Sequence, residues 1–237
     1  MYRKSLAPLR ILVRKVLSAW ERSRPSTSYS QSGEDLIIRF IFNALRIAKP
    51  SYLDIGAYHP IHFSNTYLLY KNGSSGVCVE PDPQLIAAFR GKRRRDICIN
   101  SGIGVGREAT ADFYVLSTKT LNTFSRSEAE RCAAYGQKIE KVIPVPLVTV
   151  NDVLSQYGKP NFISLDIEGL DLEVIKTFDF SSFRPEVFCI ETLTYTEDKT
   201  EVKVNQIIDY MKSKDYFVYA DTYINTIFVD RAAWSGR

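Results

Sequence analysis

Apolar residues recur at helical spacing near the start of the chain. Leu9, Val13, Val16, Leu17 and Trp20 form one stripe of a segment beginning near Ser5, with Arg or Lys on the other side. Residues 22–30 follow as a polar linker. Over residues 32–49, Leu36, Ile37, Phe40, Ile41, Ala44 and Leu45 repeat with the same period, and Ser32 with Asp35 resembles an N-terminal capping box. Beyond Pro50 the pattern changes to short apolar runs alternating with helical segments. Strands are predicted at 52–55, 76–80, 96–100, 161–166 and 186–191, and helices at 64–71, 83–90, 170–178 and 203–214. Between them, strand-like 110–116 and 141–148 flank a polar stretch, 117–138, and Thr149 with Asp152 caps a short helix ending near Gly158.

Repeated strand and helix alternation argues for a parallel sheet with helices on both faces. The last two strands, 216–221 and 223–230, are joined too closely for a crossover helix and must form a hairpin. One antiparallel strand therefore closes an otherwise parallel α/β sheet.

At 237 residues the chain suits one such domain with extensions. No run approaches the 18 or so apolar residues of a membrane span, and no secretory signal is expected at the start. The net charge of +4 is unevenly placed: Arg3, Lys4, Arg10, Arg14, Lys15, Arg22 and Arg24 face only Glu21 in the first 25 residues, leaving the rest at −2. That argues against a nucleic-acid binder, which is more often basic throughout or along one face of its core. The basic arm instead permits contact with an anionic membrane surface, or a helix docked on its own domain or on a second subunit. Residues 1–28 are accordingly read as arm and linker, and 29–237 as the domain, with an insertion at about 109–148. Cys78, Cys98, Cys132 and Cys189 have no Cys-x-x-Cys spacing and suit free thiols in a reducing cytosol.

In open α/β sheets ligands bind at the carboxyl ends of the strands. Asp54, Glu80, Asn100, Asp166 and Glu191 each end a predicted strand, although a lone acid there is often a helix cap. At the first strand end Gly56, without a Cβ, lets a ligand approach the backbone, and Glu80 lies where a carboxylate can accept both hydroxyls of a ribose. A nicotinamide dinucleotide and S-adenosylmethionine both fit these two residues. The first needs a glycine turn for its pyrophosphate, but Tyr58, His59 and Pro60 occupy the loop. S-adenosylmethionine has no phosphate, and the closing hairpin is expected of the methyltransferase version of the sheet.

Asp166 and Glu168, in Asp-Ile-Glu-Gly, are the leading candidates for chemistry, because a carboxylate can align an acceptor hydroxyl and remove its proton; either could instead cap the next helix. His59 and His62 are alternative bases or merely structural. His62 opens a run with Phe63, Ser64 and Asn65 at the start of the next helix, making Ser64 and Asn65 candidates for holding the acceptor. The run Arg-Gly-Lys-Arg-Arg-Arg-Asp at 90–96 could recognise phosphate but reads more readily as a solvated turn. No Asp/Asn-Pro-Pro-Tyr motif of amino-methylating DNA enzymes occurs.

Four stretches, YSQSGEDLII (29–38), LDIGAYHPIHFSNTYLLYKNG (53–73), VEPDP (79–83) and SLDIEGLDLEVI (164–175), together resemble the FkbM-type S-adenosylmethionine-dependent methyltransferases. The resemblance implies a class I, seven-stranded methyltransferase sheet. It places Asp54, Gly56, Ala57 and Tyr58 at the methionine end of the cofactor, Glu80 at the ribose, and Pro81 and Asp82 on the adenosine side. Asn100, Ser101, Gly102 and Ile103 would flank the adenine, while Gln31 and Glu34 would fold over the pocket. For Glu34 a charge serving the first turn of a helix is an equal alternative. Some related enzymes bind a diol through a divalent metal, for which Asp166 and Glu191 are the candidates, though no metal-specific spacing supports one.

The resulting expectation is methyl transfer to a hydroxyl of a sugar, glycan or polyketide-type product. The arm suits work on a glycan at the cytoplasmic face of a membrane. The rival readings are a nucleic-acid methyltransferase and a non-catalytic partner subunit with the same fold.

Overall fold

The structure, a computed structural model, describes residues 26–106, 108–167, 169–193 and 202–237. The basic stripe expected over residues 1–25, and Glu168, lie outside the described residues. In chain order the elements are α1 (Glu34–Ala44), β1 (Tyr52–Ile55), α2 (Tyr67–Lys71), β2 (Gly76–Val79), α3 (Pro83–Lys92), β3 (Ile97–Ile99), β4 (Gly102–Ile103) and β5 (Thr110–Leu116). A 3-10 turn (Lys119–Leu121) leads to α4 (Arg126–Ala134), β6 (Ile139–Val148), α5 (Val150–Tyr157), β7 (Phe162–Leu165), α6 (Asp171–Thr177) and β8 (Val187–Glu191). The chain continues through α7 (Asn205–Ser213), β9 (Tyr216–Asp221), β10 (Asn225–Asp230) and α8 (Arg231–Ser235).

Seven strands form one sheet in the order β3-β2-β1-β7-β8-β10-β9. All are parallel except β10, which runs antiparallel to both neighbours, as the short final connection requires. Successive residues of a strand face opposite ways, and both faces are covered. Leu53, Ile55, Val77, Val79, Ile163, Leu165, Phe188 and Ile190 pack with residues of α5, α6 and α7. Tyr52, Cys78, Phe162, Val187 and Cys189 pack with residues of α1, α2 and α3. Each fully buried aliphatic or aromatic side chain here contributes about 1.5–3 kcal/mol. A second, three-stranded sheet, β4-β6-β5, grows from the insertion.

Several boundaries differ from expectation for local reasons. The Ser32–Asp35 capping box does not form, because Gly33, at φ 93°, is the N-cap of α1. Asp35 instead accepts bonds from Ser28 Oγ, the Tyr29 amide and Ser30 Oγ. The helix expected to reach residue 49 stops at Ala44, and Arg46 takes a left-handed conformation just beyond its C-cap. The helix expected from residue 64 starts at Tyr67, because Ser64 Oγ accepts the amides of Thr66 and Tyr67 in a preceding turn. The polar stretch 117–138 contains α4, capped by Ser125, whose hydroxyl accepts the Glu128 amide. The predicted Thr149–Asp152 capping box is present at α5.

Candidate functional site

A cavity of about 520 Å³ opens over the carboxyl ends of β1, β2, β7 and β8, a size ordinary for small-molecule sites. The parallel ladders bring the strand ends level: Ile55 pairs with both Val79 and Leu165, and Leu165 with Ile190. Gly56, Glu80 and Asp166, each just past one of these strands, and Glu191, which ends β8, all line the cavity.

Gly56 is required for a reason other than ligand access alone. It adopts φ 73°, and a Cβ there would stand 1.8 Å from the backbone oxygen of Asp166, so glycine permits the two loops to touch. Glu80 is buried, with one carboxylate oxygen accepting the Tyr58 amide and the other the Asp82 amide, each at 2.8 Å. Burial pushes its carboxyl up to about 8, against the lowering effect of those two amides. Asp166 is also raised, first by burial and further by Asp54 and Glu34, while a hydrogen bond with Glu191 draws it back. Two neighbouring carboxyls sharing a hydrogen bond can hold one proton between them near neutral pH.

Of the predicted residues, Gln31, Gly56, Tyr58, Glu80, Pro81, Ser101, Gly102, Ile103 and Asp166 line the cavity. Glu191, the other metal candidate beside Asp166, lines it too, and Glu168 lies outside the described residues; the remaining predicted residues are placed elsewhere. Asp54 points to the α1–α3 face because of the two-residue strand period, and it accepts Thr66 Oγ1. Ala57 is buried in the core on that face. Asp82 caps α3 through the Gln84 amide, and Asn100 donates to the carbonyls of Glu80 and Pro81. Glu34 is buried; despite the cost of burial its pKa is lowered, because Thr222, Ser32 and Asn225 donate to it. It therefore ties α1 to the β9–β10 turn. Ser64 accepts from Arg93, and Asn65 donates to Ser164 Oγ under the sheet. His59 Nδ1 accepts the amides of Ile61 and His62, so it braces its loop, and His62 is exposed.

The run at 90–96 is not uniformly solvated. Arg93 is fully buried, 2.6 Å from Asp96, and donates to Tyr52, Thr66 and Ser64. It is therefore withdrawn from any phosphate-binding surface.

Two contributions escaped the sequence reading. Phe113 and residues 119–124 of the insertion form a wall of the cavity, and Asn122 is bonded to Asp82. Asp171, buried at the start of α6, accepts the amides of Ile167 and Gly169 and so shapes the loop after Asp166; burial pushes it up to about 8. The first lacked periodicity, whereas the second stood in plain view as an acid in a first helical turn. Among the described residues, no group of three or more His, Cys, Asp or Glu side chains is arranged to hold a metal ion.

The family model described as the methyltransferase FkbM domain matches residues 54–218. A search of curated proteins finds no match. Similar solved structures include TehB from Haemophilus influenzae, at 11% identity and TM-score 0.47, covering 86% of this chain and 64% of that one. Another is the 1,6-didemethyltoxoflavin-N1-methyltransferase of Burkholderia thailandensis with 1,6-didemethyltoxoflavin and S-adenosylhomocysteine bound, at 9% identity and TM-score 0.42, covering 97% and 92%. A third is magnesium protoporphyrin IX methyltransferase from Synechocystis PCC 6803 with bound S-adenosylmethionine, at 10% identity and TM-score 0.42, covering 90% of each. These TM-scores fall below 0.5, so the assignment rests on the sequence match. That match spans well over half of the chain, which belongs to the FkbM methyltransferase family.

Proposed function

We propose that the protein transfers a methyl group from S-adenosylmethionine to a hydroxyl oxygen of a sugar, glycan or related natural product. The observation that carries this reading is the single cavity shared by the buried Glu80 carboxylate and the Asp166–Glu191 carboxyl pair. β2 and β7 are separated by β1, so Glu80 and Asp166 stand two strand spacings apart, about 10 Å. One can hold a ribose while the other faces the acceptor.

The residues fit the cofactor. Glu80, already oriented by two amides, has lone pairs left for ribose hydroxyls, and Ser101, Gly102 and Ile103 offer a small, largely apolar wall for a base. When bound, the cofactor would supply a methyl group on a sulfonium, activated without help from the protein. The protein's task is to align the acceptor oxygen and take its proton. Asp166 suits that task because burial makes its carboxylate more basic than usual.

The test is label transfer from methyl-tritiated S-adenosylmethionine to sugar and oligosaccharide acceptors, with total RNA and DNA as separate acceptors. Alkali-stable label in carbohydrate is expected, as is a fall in turnover of about 10²-fold or more in Asp166→Asn. Label confined to nucleic acid, or full activity in Asp166→Asn, would overturn the reading.

A further inference from the structure

Five non-glycine residues among those described have left-handed backbones: Arg46, Tyr58, Phe63, Asp215 and Tyr223. Arg46 and Asp215 directly follow the C-caps of α1 and α7, where such a conformation is ordinary. The other three are aromatic, a residue type that rarely accepts φ above zero, and all three line the one cavity described above. Strain of this kind concentrates at ligand clamps and persists only where the surroundings enforce it.

The surroundings do enforce it. The Tyr58 amide is held by Glu80. Phe63 lies between the His62 amide, bound to His59 Nδ1 at 3.0 Å, and the Ser64 amide, bound to the Tyr29 carbonyl at 3.0 Å. The Tyr223 amide donates to Asp221, and its carbonyl accepts Lys203 Nζ. Despite this fixation, Phe63 and Tyr223 bury little of their own surface, remaining 58% and 63% exposed. The Tyr58 and Phe63 rings stand 6.3 Å apart at 46°. Backbone strain and large exposed aromatic faces at a cavity mouth contribute nothing to folding, and together they point to a ligand.

We propose that Phe63 and Tyr223, with Tyr58, form the acceptor subsite and select an acceptor that presents a flat apolar ring face beside its hydroxyl. The inference rests on the reading of the cavity as the methyl-transfer site. In it His59 acts as a positioning residue, fixing the turn that presents Phe63.

The test uses the full chain saturated with S-adenosylhomocysteine, titrated with phenyl β-D-glucopyranoside as ring probe and glucitol as its linear counterpart. The ring probe should bind and glucitol should not. Phe63→Ala and Tyr223→Ala should each weaken the probe roughly three- to tenfold, the scale of one lost ring contact, while S-adenosylhomocysteine affinity stays within about twofold. Phe63→Tyr and Tyr223→Phe should restore probe binding, and Phe40→Ala, exposed on α1, should leave it unchanged. Phe63→Gly should lose probe affinity with little change in Tm, because relief of the left-handed backbone offsets the entropy that glycine adds to the unfolded chain. Absence of ring-probe binding, equal binding of glucitol, or unchanged affinity in the Phe63/Tyr223 double alanine variant would overturn the subsite. Failure of S-adenosylhomocysteine to bind the wild type would instead strike the functional reading beneath it.

Discussion

Arg93 stands in a run of four basic residues within 92–95, yet it alone of the four is buried, bonded to Asp96, Tyr52, Thr66 and Ser64 and lying within 5.5 Å of the ring centres of Tyr52, Tyr70 and Phe89. It also draws down the Asp54 carboxyl, which burial raises. Arg93→Ala would leave two buried acids without their counter-charge, and a loss of about 3–5 kcal/mol in urea denaturation is expected. The exposed Arg94→Ala should change stability by no more than about 0.5 kcal/mol. Equal effects would show that burial of this charge does not matter. The same contrast explains what the sequence could reveal at this scale. Which residues stand at strand ends was legible, but side-chain direction was not. Asp54 and Glu80 looked equivalent, but Asp54 lies inside β1, where the pleat turns it toward α1–α3, whereas Glu80 lies one residue past the end of β2, where the Tyr58 and Asp82 amides hold it in the cavity.

At the scale of elements, strong local signals located structure well. The Thr149–Asp152 box and the β1 and β5 runs match their expected positions. Ser125 and Glu128 carried a similar signature for α4, hidden by the low hydrophobicity of that helix. The loop between β1 and α2 has no periodicity, since its order comes from side chains bonding to backbone. His59 is its centre, and burial, with a smaller contribution from His62, lowers its pKa from the ordinary 6.5. The neutral ring accepts two amides, so this stabilisation is complete above 6.5, the unfolded value, and is lost as pH falls through the lower folded value. Tm should therefore decline on acidification through this range. His59→Asn, which keeps an acceptor oxygen but does not titrate, should lose that part of the decline; an unchanged pH profile would show that His59 does not brace the loop.

For the whole molecule, alternating strands and helices with a closing hairpin were enough to specify the sheet and the rim over which the cavity opens. The wall supplied by the insertion was not legible, because it is defined by long-range packing such as Asn122 on Asp82 and not by any repeat along the chain. Gly102 shows the same dependence: a Cβ there would meet the Phe124 ring at 2.4 Å, so the insertion closes against a bare backbone. On the proposed function, this rim and wall enclose an S-adenosylmethionine site organised by Glu80. Calorimetric titration of S-adenosylhomocysteine into the wild-type chain and into Glu80→Gln tests it most directly. The wild type should show one binding site, and the variant should bind at least about tenfold more weakly, a difference of about 1.4 kcal/mol or more. No binding by the wild type, or equal affinity in both proteins, would contradict it.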